Sequence, residues 1–499
     1  MKRKGIYNLF TELVATKGRM AFIAIWGTLI STSPSGAQVS NPTKFEIKKA
    51  KRLHTSLTGT SPSRLESSLI IRAIRQGRLE QVSRDIIESR NGFQNSGAFY
   101  NVTVKDFATP WSSEDGSVFT SLNDMTGTVV GYTRDELPFN EILWRDTVYK
   151  AIGVTFKGGQ LRFFEGANYP SGTTASTVCS NTVASDPRNR KMRIWYIDPN
   201  NPNGDPTNPA NARCRLTDHS RSELRKADLA DKLYIPKMDM LVETNLIKGP
   251  PKHYRSLENQ GFDMSDREVF KNTSQLVKLH RTPAAVSGLM SLSSFGSAFL
   301  SAGTNRAAIA FSMKYFFCKD MEELNDTTIP DFRNRRDVDR SPGGESSTYK
   351  NRCVGCHAGM DALAGAFAYY DWNDGVIYED GQVVKKMNHN VVYSDGFVTN
   401  DDSWINLWDQ GQNATLGWGP QKVGRGVKEL GQMFSETKAF RHCMAKQVFE
   451  KVCFRKPASS KDLKLINENS EYFQDQSFNM KKLFIKTSID CMDEEVRNG

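Results

Sequence analysis

Metal-ligating chemistry is scarce in this chain. Only 7 of its 499 residues are histidine and 8 are cysteine. No second Cys or His pair stands at ligand spacing beside the one C-x-x-C, which argues against the four-ligand zinc modules that need two such pairs. The apolar stretch near the start, Met20 to Ile30, falls short of the roughly 20 residues a spanning helix needs. There is no internal repeat and no low-complexity tract. An excess of one charge sign is also missing. The formal net charge is +10, and setting aside Lys2, Arg3, Lys4, Lys17 and Arg19 with Glu12 leaves about +6. Acidic and basic residues alternate in sign along most of the remainder, a solvated surface rather than a nucleic-acid footprint, so no nucleic-acid partner is expected.

What is present begins with an export pattern. Lys17 and Arg19 precede the apolar run, and Ser35, Gly36 and Ala37 form a small-x-small cleavage signal before Gln38. Residues 1–37 therefore read as a cleaved secretory signal, with an uncleaved anchor as the alternative. No cysteine follows the run to take a lipid, so no stable membrane span or anchor is expected after cleavage. The predicted location is the periplasm, the cell surface or the medium.

Cys353, Val354, Gly355, Cys356 and His357 read C-V-G-C-H. Two thiols three residues apart match the two vinyl groups of one haem, and the adjacent imidazole supplies an axial iron ligand. On a helical turn all three side chains share one face. A redox dithiol would follow a strand in a βαβ unit, whereas Ser341, Pro342, Gly343 and Gly344 precede this motif as a loop. The expected cofactor is one covalent haem c, held by Cys353 and Cys356, with His357 as proximal ligand and its other ring nitrogen donating to a carbonyl.

The distal ligand decides between chemistries, because a thioether closes the iron for electron transfer and an open position admits peroxide or oxygen. Met360 sits too close to His357 to cross to the opposite haem face. Met387 is the first choice, in a loop following the turn-rich Asp374 to Gly381, with Met433, His389 or no protein ligand as the main alternatives and Met444 behind them. Met433 and Met444 fall on apolar helical faces, where methionine is more often core. His54, His219, His253, His280 and His442 are scattered and read as surface or core residues.

Six further cysteines, Cys179, Cys214, Cys318, Cys443, Cys453 and Cys491, permit fifteen pairings in an oxidising compartment. Cys443 and Cys453 lie about 15 Å apart along one predicted helix and cannot pair. Cys179 and Cys214 bracket a Pro/Asn/Gly-rich stretch and are predicted to staple it.

The fold class is mainly α. Residues 38–64 are Ser/Thr-rich and read as a linker. Residues 65–286 read as a mainly helical domain, with helical periods over Leu65 to Ile86, Glu136 to Ile152 and Ser222 to Leu233. A long irregular excursion at 164–216 interrupts it, with a strand predicted over Met192 to Ile197. Asp198, Asn200, Asn203 and Asp205 within it miss the EF-hand spacing and read as turn residues. A second helical region runs from Ser274 through Cys318, with Gly288, Gly296 and Gly303 as joints. After the motif, Val427, Leu430, Met433 and Phe434 form one amphipathic period, and Phe440, Met444, Val448, Phe449 and Val452 another.

After His357 the chain reads Ala358-Gly359-Met360-Asp361-Ala362-Leu363-Ala364-Gly365-Ala366-Phe367, then Tyr370-Asp371. Upstream stand Ser287-Gly288-Leu289-Met290 and Gly303-Thr304-Asn305-Arg306, and downstream Phe440 to Arg455. Together these resemble the planctomycete-type cytochrome c domain proteins over roughly Ser287 to Lys456, and more weakly over Leu65 to Ile152. The family's Asp-Pro is Asp361-Ala362 here. The resemblance implies an α-helical c-type cytochrome domain over 287–499 in an exported protein. The function expected is mono-haem electron transfer to or from a redox partner protein, which a mildly basic rim would help dock. The alternatives are a haem-dependent peroxidase or oxidase, lowered by the single C-x-x-C-H, and a surface binding or sensor protein with structural haem.

Overall fold

Capping chemistry starts the first helices. Thr43 and Glu46 form a reciprocal capping box at the head of a helix over Lys44–Thr58, and Ser63 and Glu66 repeat it before Arg64–Arg75. A third helix follows over Leu79–Ile87. In this computed structural model the described residues are 40–95, 97–151, 254, 257–258, 261–275, 283–300, 305–330, 345–372, 376–378, 381–383 and 401–492, with strand backbones at 161–164, 191–197 and 212–220. The predicted signal segment, the Ser222 to Leu233 period and Asp198 to Asp205 lie outside them.

The chain is mainly helical, 61% helix against 7% strand, the class its periodicities predict. The linker expected over 38–64 is corrected. Ala50, Leu53 and Leu57 recur on one face of the Lys44–Thr58 helix and are buried, and that face outweighs the Ser/Thr composition around it. The helix packs on the chain's far end, against Lys438–Cys453 and Met480–Met492. Ser56 donates to the Val452 carbonyl at 2.9 Å, and Trp111 Nε1 donates to Gln447 Oε1 at 2.9 Å.

A boundary at 286/287 is not one the fold respects, since Thr43–Gly499 forms one compact unit. The Asp124 carboxylate, on a helix over Asp124–Arg134, accepts the backbone N–H groups of Ser293 and Ser294 at 2.8 and 3.1 Å. It thereby caps the Ser293–Phe299 helix from the other half of the chain. Gly288, at φ +49°, crosses so close to the Ile142 carbonyl that a Cβ would sit 2.1 Å from its oxygen.

The helix expected over Glu136 to Ile152 is instead a 3-10 turn at Phe139–Leu143 and a strand at Val148–Ala151, antiparallel to Phe270–Thr273. Val148 and Tyr149 suit a strand, and Tyr149 lays its ring against Gly131, where a Cβ would stand 2.2 Å from the ring. The excursion at 164–216 is less irregular than its composition predicts. Strands Leu161–Phe164, Lys191–Ile197 and Ala212–Ser220 form an antiparallel sheet with 191–197 in the centre. Gly296, read as a joint, lies inside a helix, where it admits Trp372 and Val376 from the Tyr370–Trp372/Val376–Tyr378 hairpin.

Two disulfides close among the described residues, Cys318–Cys443 and Cys453–Cys491. Cys443 and Cys453 share one helix and bond elsewhere, as their separation requires. The predicted Cys179–Cys214 pair lies outside the residues whose side chains are described. No described helix is long and apolar enough to cross a membrane.

Candidate functional site

The C-V-G-C-H segment opens a helix over Val354–Ala364, with Cys353 at its N-cap and the Cys353 carbonyl accepting the His357 N–H at 3.0 Å. At about 100° per residue, Cys353, Cys356, His357, Met360 and Asp361 share one side, and Gly355 and Gly359 fall on the other. The glycine side is the packed one. A Cβ at Gly355 would meet Asn325 Oδ1 at 1.8 Å, and one at Gly359 would meet Trp408 Nε1 at 2.2 Å. The Asp326 N–H donates to the Gly355 carbonyl at 3.0 Å, fixing the 321–328 segment against the motif. Small residues in the motif helix thus let its neighbours close in, while the thiols and imidazole are left partly exposed.

Gly359→Ala tests this packing. Alanine gains about 1 kcal/mol of helix propensity over glycine. The fully buried Trp408 indole would have to shift to admit the methyl group, and such overpacking costs about 1–3 kcal/mol. Net destabilisation is expected, read as a lowered thermal midpoint; a raised midpoint would contradict the close approach.

Cys353 and Cys356 are both unpaired, while the four other cysteines with described side chains form disulfides. Burial raises the Cys356 thiol above its ordinary value, with Glu322 and Cys353 adding to the effect. Cys356 Sγ lies 3.3 Å from the Met321 carbonyl, and the Tyr349 ring is 6.1 Å from that of His357.

Beneath His357 stands a buried ion pair. Arg306, the first residue of the Arg306–Phe316 helix, donates Nε and Nη2 to the two Asp361 carboxylate oxygens at 2.6 and 3.0 Å. Asn305 ties the same joint to the end of the motif helix, donating Nδ2 to the Ala364 carbonyl at 3.3 Å. His357 Nδ1 lies 3.4 Å from Asp361 Oδ2 and, though buried, makes no hydrogen bond among the described residues. Asp361 is 0% exposed, the Arg306 side chain 8% and the His357 side chain 18%. Burial pushes the Asp361 carboxyl up, but His357 and Arg306 together outweigh it and hold the group below the ordinary carboxylate range. The acceptor facing Nδ1 is thus a carboxylate, not the carbonyl that the sequence suggests. The i, i+4 spacing of His357 and Asp361 was the available signal; Arg306 stood out only within the Gly303 to Arg306 segment of the resemblance, and nothing in the sequence tied it to Asp361, 55 positions away.

The residues present are those a covalently attached haem would use: two cysteines free of disulfides, an adjacent imidazole, and a buried Nδ1 3.4 Å from a carboxylate oxygen. Among the described residues no group of three or more His, Cys, Asp or Glu side chains gathers to hold a metal ion by itself. Met433 and Met444 are fully buried in the helices Gly426–Ser435 and Lys438–Cys453. Met387 and His389 lie outside the described residues. His54 is a core residue, its ring nitrogens 2.9 Å from the Thr60 carbonyl and 3.0 Å from Asn95 Oδ1. It stands near a separate cleft of about 560 Å³ lined by Thr60, Ser63, Glu66 and Asn95, to which no motif residue contributes. The chain matches no family model, no curated protein and no solved structure.

Proposed function

We propose that this chain is an exported mono-haem c-type cytochrome that passes single electrons to or from a redox partner protein. The observation that carries the reading is C-V-G-C-H at the head of a helix, with both thiols free where the other described cysteines are paired. Cys353 and Cys356 would hold the haem covalently and His357 would bind its iron. The haem, when bound, supplies a one-electron centre whose potential depends on axial ligation and surroundings. The 321–328 segment, Trp408 and the Arg306–Asp361 pair hold the motif helix in place. The export signal and the two disulfides agree with an oxidising compartment. The resemblance to planctomycete-type cytochrome c domain proteins belongs to this proposal.

Protein made in cells with active cytochrome c maturation is expected to keep its haem through acid-acetone extraction; extractable haem, or none, refutes the reading. Ferrous protein that binds carbon monoxide only slowly supports electron transfer, and Met387→Ala is then expected to open the site. Immediate binding by the unmodified protein favours the haem-dependent peroxidase or oxidase. Met433→Ala is expected to cost about 2–5 kcal/mol as a core truncation and to leave the haem spectrum unchanged. A changed spectrum would make Met433 the distal ligand.

A further inference from the structure

We propose that Asp361 is the hydrogen-bond acceptor for the haem-ligating histidine and that Arg306 sets how strongly it acts, so that this buried pair tunes the reduction potential; the inference rests on the haem reading. His357 Nδ1 is buried, makes no hydrogen bond among the described residues and lies 3.4 Å from Asp361 Oδ2. A small rotation of the ring completes that bond. A histidine that donates its second N–H to a carboxylate becomes a stronger donor through the first nitrogen, and the ring orientation is fixed at the same time. Greater donation, with a nearby negative charge, favours the oxidised metal and lowers the potential.

Arg306 opposes that effect. It holds both carboxylate oxygens in a fork, fixes the carboxylate plane and shares its charge. The two residues therefore pull the histidine in opposite directions. A purely structural ion pair makes a different prediction, because removing either partner would loosen the same helix joint and alter stability alone. Asn305 ties the same joint through the Ala364 carbonyl beside the pair.

The test uses full-length haem-bearing protein in three forms: unmodified, Asp361→Asn and Arg306→Gln. Covalent haem content, the reduction potential by spectroelectrochemical titration, and the iron–histidine stretching vibration of the ferrous protein after photolysis of its carbon monoxide adduct are measured. Asp361→Asn is expected to favour the reduced state about tenfold, about 59 mV for one electron, and to lower the stretching frequency. Arg306→Gln is expected to move both quantities the other way. If Asp361→Asn fails to fold, the sign of the Arg306→Gln shift decides. Unmoved potentials overturn the proposal, as does a potential that shifts while the vibration stays put, since that is long-range charge alone. Absence of covalent haem from all three proteins defeats the haem reading itself, and this proposal with it, which keeps the two failures distinct.

Discussion

Replacing both Cys353 and Cys356 by alanine is expected to abolish covalent haem. Each single variant should retain one thioether, resist acid-acetone extraction, and show an altered reduced spectrum because one vinyl group stays conjugated with the ring. The double variant has no thioether, and any haem it takes up through His357 should extract completely. This graded outcome separates haem attachment from the two other uses of a C-x-x-C. A redox dithiol loses its activity with either cysteine and carries no haem, and a zinc site releases metal instead. Recovery of a Cys353–Cys356 disulfide from matured, unmodified protein would sink the haem assignment outright.

Removing the Cys318–Cys443 disulfide is expected to cost about 5 kcal/mol, the largest stability effect of any single cross-link described in the fold. The bond closes a loop spanning 125 positions, and the chain-entropy relation gives about 5 kcal/mol for such a loop against about 4 for the 38 positions between Cys453 and Cys491. Its position matters as much as its size. The loop contains the motif helix, the 321–328 segment and Trp408, while Arg306 lies just outside it on the helix that leads to Cys318. A Cys318→Ala, Cys443→Ala variant should therefore loosen the whole surround of His357, and haem incorporation should fall with stability. Denaturant unfolding of this variant beside Cys453→Ala, Cys491→Ala checks the order. Equal stability with and without the Cys318–Cys443 bond, or free thiols at both positions in the native chain, would contradict it.

Much of the local structure is legible in the order of residues. The periods at Val427 to Phe434 and Phe440 to Val452 became the helices Gly426–Ser435 and Lys438–Cys453, with those apolar positions buried. The strand expected over Met192 to Ile197 lies within the strand Lys191–Ile197. The failures share a cause. Composition marked 38–64 as a linker because Ser and Thr are turn residues, yet the same residue types are also the best helix caps, and Thr43 and Ser63 act as caps. Periodicity marked 136–152 as a helix because short apolar runs do not separate helix from strand. Tyr149 settled the matter by finding Gly131 across the core.

The site divides along the same line. C-V-G-C-H is legible without the fold, since thiol spacing and an adjacent imidazole are properties of neighbouring residues, and the sign pattern of charges and the short apolar run are equally local. Tertiary structure alone decided that Asp361 meets Arg306, that Cys318 finds Cys443, that Lys44–Thr58 rests on the last helices, and that 65–286 and 287–499 close around one core. These contacts join residues tens to hundreds of positions apart, and which of them form depends on the faces that burial brings together. Spacing along one chain carries no record of that choice, because loop closure costs only about 0.6 kcal/mol more for each doubling of length and so scarcely favours one distant partner over another.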